Sequence, residues 1–264
     1  MKFAPRSLRF SLKRSSPSRI LASALLGLGI LASLGCAPDG NEDALSMFGV
    51  DKGELLYSTS MGTASSIEGW KMEGPGEIVF KDGWMEMYSP GEKMHHVFWC
   101  PEAFPSSFIA QWTMQNLKTE AGLCIVFFAA NGLQGQDVMD PSLPPRDGTF
   151  SLYNNDQLTN YHISYYANTP KLPDRPVARL RKNPGKNIVY EGPPGIAAKS
   201  EAIHQVTLIK DEAHIQLYVD DRKIIDWVDD GAVNGSSLGA GKIALRQMQW
   251  THFRYRDFKV WRIE

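Results

Sequence analysis

The chain has 264 residues, and its 28 basic side chains nearly balance its 29 acidic ones, for a formal net charge of −1. Many of the basic residues lie near the N-terminus, so the remainder is mildly acidic and lacks the positive surface of a nucleic-acid-binding protein. No nucleic-acid partner is therefore expected. Aromatic residues make up 11% of the chain, with 23 Gly and 16 Pro, a composition typical of many strands joined by turns.

Residues 1–36 predict a signal peptide. Six basic residues precede an apolar stretch that runs from residue 20 to residue 34. This stretch is about fifteen residues long, whereas a membrane-spanning helix needs roughly 20. We therefore expect the chain to be exported from the cytoplasm.

The apolar stretch ends at a candidate lipidation site, Cys36, within the sequence Leu34-Gly35-Cys36-Ala37. This pattern resembles a bacterial lipobox, although Ser33 stands where an aliphatic residue is usual. Ordinary cleavage after Ala37 is the alternative, and Pro38 disfavours it. We expect Cys36 to be acylated and the protein to be anchored in the cell envelope, in the outer membrane or periplasm. Its contact with a membrane would then be through the lipid only.

After the leader, residues 37–50 predict a short polar tether, and residues 51–264 predict a single domain. Short β-rich runs recur between turns, and no long helical periodicity is present. So many strands predict an all-β fold with two packed antiparallel sheets, a β-sandwich of the concanavalin or laminin-G jelly-roll kind. In chain order the predicted strands are Glu77–Phe80, Trp84–Tyr88, His95–Trp99, Ser107–Gln115, Gly122–Ala130, Thr149–Tyr153, Tyr161–Tyr166, Ala178–Arg181, His204–Lys210, His214–Val219, Arg222–Val228, Gly241–Gln247 and His252–Arg262.

Two cysteines, Cys100 and Cys124, remain in the domain. An exported protein can join them in a disulfide, or both can be small buried thiols. No residues stand at the spacing of a zinc site, so we expect no metal and no cofactor. The loop 136–146 is the exception, because its Asp137 and Asp140 could hold a structural calcium ion.

Five runs carry a resemblance to a known family: Trp99-Cys-Pro-Glu-Ala-Phe-Pro, Gly122-Leu-Cys-Ile-Val-Phe-Phe-Ala-Ala, Tyr161-His-Ile-Ser-Tyr-Tyr, Leu180-Arg-Lys-Asn-Pro-Gly and His252-Phe-Arg-Tyr-Arg-Asp-Phe. They resemble the YesU-like family, domain of unknown function 1961, over roughly residues 55–263. The resemblance implies a concanavalin-like jelly roll and a setting in polysaccharide degradation. It implies no particular reaction, because a fold does not specify a function.

Strand parity groups three polar side chains, since alternate residues of a strand share a face. His162, Ser164 and Tyr166 would lie on one face of their strand, and Arg179 and Arg181 would share a face of the next. Lys182 would extend the same positive region. Two arginines beside a His and a Tyr predict a cluster that clamps a carboxylate or sulfate, although a buried Tyr and Arg network would give the same pattern without a ligand.

These residue types also suit a polysaccharide lyase. Proton abstraction beside a uronate carboxylate needs a base, an acid for the leaving oxygen and a cation for the developing negative charge. We expect His162 as the base, Tyr166 as the acid, and Arg179 or Arg181 as the cation. The roles of His162 and Tyr166 can be exchanged, and Ser164 and Lys182 would contact substrate.

The last strand contributes further candidates for sugar binding. Trp250, His252 and Arg254 combine an aromatic ring with polar groups, the pairing expected of a sugar-binding surface. The leading hypothesis is thus a cell-envelope protein that acts on an acidic polysaccharide or its oligosaccharides by β-elimination. One alternative is a non-catalytic glycan-binding module. Another is a glycoside hydrolase whose carboxylates are dispersed over several strands.

Overall fold

A computed structural model describes residues 48–264 of the chain, apart from 92, 93 and 156. The predicted leader, Cys36 and most of the predicted tether lie outside the described residues. Within those limits, no helix has the length and apolar character that crossing a membrane requires.

The described residues form fifteen strands and two short 3-10 helices, and all pairings between strands are antiparallel. The 3-10 helices are Ser65–Ile67 and Phe150–Tyr153. The strands are β1 Lys52–Thr59, β2 Lys71–Glu73, β3 Glu77–Lys81, β4 Trp84–Tyr88, β5 His96–Phe104, β6 Phe108–Asn116, β7 Gly122–Gly132, β8 Leu158–Asn168, β9 Ala178–Asn183, β10 Asn187–Gly192, β11 Ile203–Asp211, β12 His214–Val219, β13 Arg222–Val228, β14 Gly241–Gln247 and β15 His252–Ile263.

Two sheets pack face to face, as the predicted jelly roll requires. One sheet has the order β13-β12-β11-β6-β15-β4-β3, with β1 also paired to β15, and the other has the order β10-β9-β8-β7-β14-β5-β2. We call them the eight-stranded and the seven-stranded sheet. Their inner faces enclose the main core, which includes Trp112, Val126, Leu180 and Leu217. The all-β, two-sheet fold is confirmed.

Most predicted strands are present, with a few differences. β1, β2 and β10 were not predicted. The predicted strand Thr149–Tyr153 is wrong, because residues 150–153 form a 3-10 helix instead. A 3-10 helix has three residues per turn, so Phe150 and Tyr153 lie on the same side of it. On the outer face of the seven-stranded sheet, Tyr153 contacts Phe127, and Phe150 contacts His162 and Arg246.

The segment 133–155, which we call the cap, covers part of that outer face and creates a second core. Val97, Trp99, Ile125, Phe127 and Ala244 of the sheet are buried beneath Val138, Tyr153 and neighbouring side chains of the cap. Glu73 fixes the cap to the sheet: its carboxylate accepts hydrogen bonds from Arg146 at 2.6 Å and from the Trp99 indole at 2.9 Å. The outer face is therefore closed over β5, β7 and β14.

Cys100 and Cys124 are both free thiols in the main core. Burial raises the pKa of the Cys100 thiol to about 12 and raises the pKa of Cys124 as well. Of the two alternatives left open by the sequence, the structure has the buried thiols.

Candidate functional site

Beyond the cap, the outer face of the seven-stranded sheet carries a group of cations. It consists of Arg179 and Arg181 on β9, Arg175 before that strand and Lys186 after it, and we call it the arginine face. Arg179 and Arg181 stand two residues apart, so about 7 Å separates them along the strand. They pair across the sheet with Ser164 and His162 of β8. The predicted positive cluster beside His162 and Ser164 is therefore present.

The hydrogen bonds of this face leave much of its donor capacity open to solvent. Arg179 donates from Nε to Glu191 at 2.6 Å, and Arg181 donates from Nη1 to the Lys186 carbonyl at 2.6 Å. Arg175 is held inward by Ser164, whose Oγ accepts from Nη2 at 2.8 Å. Burial, together with Arg179 and Arg181, lowers the pKa of Arg175 to about 10. The Arg175 guanidinium thus remains charged near neutral pH.

His162 lies at the boundary between the arginine face and the cap. Its ring is buried and meets Phe127 and Phe150 edge-on, at 5.3 and 5.4 Å between ring centroids. Burial, followed by the charges of Arg181, Arg246 and Lys186, lowers its pKa well below the usual value. The imidazole is therefore neutral at physiological pH.

The hydrogen bonds of Asn183 define the tautomer of that imidazole. The Oδ1 atom of Asn183 accepts from the Lys186 amide at 3.1 Å, so its Nδ2 donates to Asn160 and to Nδ1 of His162, at 2.7 and 2.8 Å. Nδ1 is thus an acceptor, and the proton resides on Nε2. In this state neither ring nitrogen has a free lone pair, so His162 can donate a hydrogen bond but cannot serve as the predicted base.

Tyr166 does not share a face with His162, and that part of the prediction is wrong. A β-bulge at Tyr165 interrupts the alternation, because Ile125 pairs with Ser164 whereas the adjacent Cys124 pairs with Tyr166. The extra residue turns Tyr166 into the main core. There its hydroxyl donates to the Ala198 carbonyl at 3.0 Å and accepts from Asn116 at 3.0 Å.

Lys182 also lies on the inner side, so it does not extend the positive region as predicted. Because side chains alternate along a strand, the neighbouring residues Arg181 and Asn183 lie on the opposite face of the sheet. Its ammonium is buried 2.7 Å from the Asp229 carboxylate, and both side chains have no exposed surface. The position is structural, since it joins β9 to the loop that follows β13.

Trp250 and His252 meet, as predicted, in a cavity at the edge of the eight-stranded sheet. We call it the edge pocket; it has a volume of about 250 Å³ and is lined by Tyr88, Ser89, Pro90, Gly91, Lys118, Trp250, Thr251 and His252. The rings of Tyr88 and His252 lie 4.9 Å apart, and Nε2 of His252 is 3.2 Å from the Glu86 carboxylate. Aromatic walls with polar groups between them suit a sugar ring, so sugar binding here stays a prediction.

Arg254 lies outside the edge pocket, contrary to the expected grouping with Trp250. Its guanidinium covers the Trp84 ring at 4.3 Å and donates to Gln115 at 2.7 Å. Arg256 covers the same ring at 4.2 Å. These stacked cations fill the surface of the sheet rather than a cleft.

Three residues of the site escaped sequence reasoning, namely Arg175, Lys186 and Arg246. Arg175 lies in a loop between prolines, where the alternation of a strand cannot predict which way a side chain points. Arg246 had a readable signal: in β14, Ile243 and Leu245 alternate with Lys242, Ala244 and Arg246, so the two cations share a face opposite the core. Arg246 nevertheless became buried, because the cap covers that face.

The calcium expectation for the loop 136–146 stays a prediction. In the described part of the chain, no three His, Cys, Asp or Glu side chains converge to hold a metal ion. The Asp137 carboxylate accepts from the Met139 amide at 2.7 Å and lies 3.3 Å from Lys242, and Asp140 accepts from the Ser142 amide at 2.8 Å. Both side chains therefore already stabilise turns of the cap.

Comparison with known proteins confirms the family resemblance. The family model described as "Domain of unknown function (DUF1961)" matches residues 54–260. The uncharacterized protein YesU of Bacillus subtilis strain 168 is 35% identical over 214 residues, which cover 79% of this chain and 96% of the relative. A solved Bacillus subtilis protein of unknown function with a galectin-like fold aligns with a TM-score of 0.77 at 33% identity, covering 81% of this chain and 98% of that one.

Lectin domains are more distant structural neighbours. The exoplasmic/lumenal domain of VIP36, in a form bound to Ca²⁺ and Man, aligns with a TM-score of 0.54 at 11% identity, over 79% of this chain and 91% of its own. The potassium-bound carbohydrate recognition domain of Emp46p aligns with a TM-score of 0.51 at 13% identity, over 80% and 98%. At these identities the likeness shows the fold alone.

Proposed function

The chain belongs to the family described as domain of unknown function 1961, and we propose that its arginine face binds acidic carbohydrate. The observation that carries this proposal is the grouping of Arg179, Arg181 and Lys186 on an open surface beside the buried Arg175, where the Glu191 carboxylate is bonded to Arg179 alone. Guanidinium groups bind carboxylate and sulfate through paired hydrogen bonds. The carbohydrate recognition domains among the structural neighbours support sugar as the ligand class by analogy of fold.

The geometry favours binding over the β-elimination expected from the sequence. The predicted acid, Tyr166, is in the main core, and the predicted base, His162, is neutral with its lone pair occupied. These two groups lie on opposite faces of one sheet, so no single substrate reaches both. A glycan-binding module, which was an alternative from the sequence, therefore becomes the leading function.

Replacement of Arg179 and Arg181 by methionine is expected to weaken binding of polygalacturonate at least tenfold. Each loss removes one charge-assisted contact, worth about 1.5–3 kcal/mol when desolvated and less on an open face. Isothermal titration at two ionic strengths measures the effect, since added salt screens such contacts. Fully methyl-esterified polygalacturonate, which lacks the carboxylates, should bind weakly to wild type.

Arg262→Met is the matched control, because Arg262 lies on the eight-stranded sheet and also neighbours a carboxylate, Glu54, at 3.6 Å. It should leave the affinity unchanged. Equal weakening by the control and by the Arg179 and Arg181 variant would contradict a local site. Absorbance near 235 nm during the same incubations should stay constant, and a steady rise would restore the elimination hypothesis.

We also propose, from the sequence, that a lipid on Cys36 anchors the domain in the cell envelope. Cys36→Ser is expected to move the protein from the membrane fraction to the soluble fraction, because a serine hydroxyl cannot form the thioether. Ser33→Leu supplies the aliphatic residue usual in a lipobox and should raise the lipidated share. Immunoblots of fractionated cells measure both, and unchanged fractionation of the Cys36 variant would rule the anchor out.

A further inference from the structure

Among the residues that the structure describes, Arg246 is a buried cation without a paired carboxylate. Its side chain is 1% exposed, and within the described residues it takes part in no salt bridge. Nη2 donates to the Gly148 carbonyl at 2.9 Å, whereas Nε and Nη1 have no hydrogen-bond partner among those residues. Three N–H groups of the guanidinium therefore point into protein without an acceptor.

Such an arrangement is energetically unfavourable by itself. A buried charge destabilises the folded state unless a counter-ion and hydrogen bonds offset the loss of water. The Phe150 ring, with its centroid 4.7 Å from the guanidinium carbon, and the Tyr153 ring at 6.0 Å supply part of the compensation. These ring contacts are not hydrogen bonds, so Nε and Nη1 stay without an acceptor among the described residues.

Phe150 separates Arg246 from the arginine face. Its ring covers Arg246 on one side and His162, at 5.4 Å, on another, and the Lys186 ammonium lies 5.5 Å from its centroid. The side chain is partly exposed. Movement of this one ring would therefore open Arg246, and the neutral His162 beside it, to a ligand already held by Arg181 and Lys186.

We propose that Arg246 is a second carboxylate-binding position, continuous with the arginine face and covered by Phe150. It takes the carboxylate of one uronic acid residue, while the arginine face holds the carboxylate of a neighbouring residue of the same chain. This inference rests on the proposed function and specifies it: the ligand is an oligomer with carboxylates on successive sugars. A monosaccharide would occupy one position only.

The test uses the variant Arg246→Met beside wild type. Calorimetry measures the affinity of each protein for trigalacturonate and for its methyl ester, and thermal melting without ligand measures the stability of each protein. We expect the variant to bind trigalacturonate at least tenfold more weakly than wild type. We also expect its ligand-free melting temperature to equal or exceed that of wild type, because methionine removes an uncompensated buried charge at similar volume. If Arg246→Met bound trigalacturonate as tightly as wild type does, the proposal would be overturned. A melting temperature several degrees below that of wild type would also overturn it, because Arg246 would then be a stabilising group whose hydrogen bonds are satisfied by water only.

Phe150→Ala keeps the proposal falsifiable if the Arg246 variant does not fold. Removal of the covering ring should raise the association rate for trigalacturonate in stopped-flow measurements, and an unchanged rate would contradict the gating role. The two proposals fail in different ways. If the Arg179 and Arg181 variant loses binding while Arg246→Met binds fully, only the role of Arg246 is refuted. If wild type itself does not bind, the proposed function is refuted.

Discussion

Replacement of Lys182 by methionine is expected to lower the free energy of unfolding by about 3–5 kcal/mol, because it leaves a buried carboxylate without its cation. The Lys182 ammonium is 2.7 Å from Asp229 and also donates to the carbonyls of Gly235 and Ser236, at 2.6 and 3.0 Å. The hydroxyl of Tyr161 donates to the same carboxylate. The cluster holds the loop after β13 against the end of the sandwich, and urea denaturation measures its contribution.

The double variant Lys182→Met with Asp229→Asn separates the charge from the packing. Asparagine keeps an acceptor for Tyr161 but carries no charge, so the double variant should be more stable than Lys182→Met alone. A coupling free energy near zero, with the two single losses simply adding, would contradict the ion pair as the source of the effect.

The pair should also give a pH dependence. Burial alone would raise the pKa of Asp229, but hydrogen bonds from Lys182 and Tyr161 outweigh it, and the pKa lies below its ordinary value. A lowered folded-state pKa means that the unfolded chain takes up protons first as the pH falls. The stability from Asp229 is therefore present above about pH 4 and lost below it. Below about pH 4, the difference in the free energy of unfolding between wild type and Lys182→Met should therefore become smaller.

Much of the fold could be read from local patterns. β4, β12, β13 and β14 match their predicted bounds, because each is a short β-rich run between clear turns. The arginine face was predicted for the same reason: Arg179 and Arg181 flank Leu180, which is buried in the main core. Alternation alone assigns the faces of a strand that has no bulge.

The errors arose where local pattern does not determine the outcome. Tyr166 turned inward because of one extra residue in β8, and sequence parity cannot show a bulge that is fixed by pairing with β7. The burial of Asp229 depends on its ion partner Lys182, which lies 47 positions away in the chain, so no local pattern shows it. The burial of His162 and Arg246 depends on a cap that the sequence presents as a proline-rich loop.

Phe127→Ala is expected to cost about 3–5 kcal/mol of stability, the usual range for removing a buried phenylalanine. Phe127 is fully buried at the centre of the core beneath the cap. Its ring lies 6.1 Å from Trp99, 5.8 Å from Tyr153 and 5.3 Å from His162, between centroids. The resulting cavity lies between cap and sheet, so the cap should lose contacts first.

Phe128→Ala is the matched control, because the adjacent side chain points between the two sheets and stacks on Tyr161 at 5.4 Å. Both variants should lose similar stability, measured by urea denaturation. Hydrogen exchange should separate them: Phe127→Ala should speed exchange in residues 148–155, whereas Phe128→Ala should speed it in both sheets. The same exchange pattern in the two variants would show that cap and sandwich unfold as one unit. A separately opening cap would give a ligand access to Arg246 without disturbing the main core, as a covered carboxylate position requires.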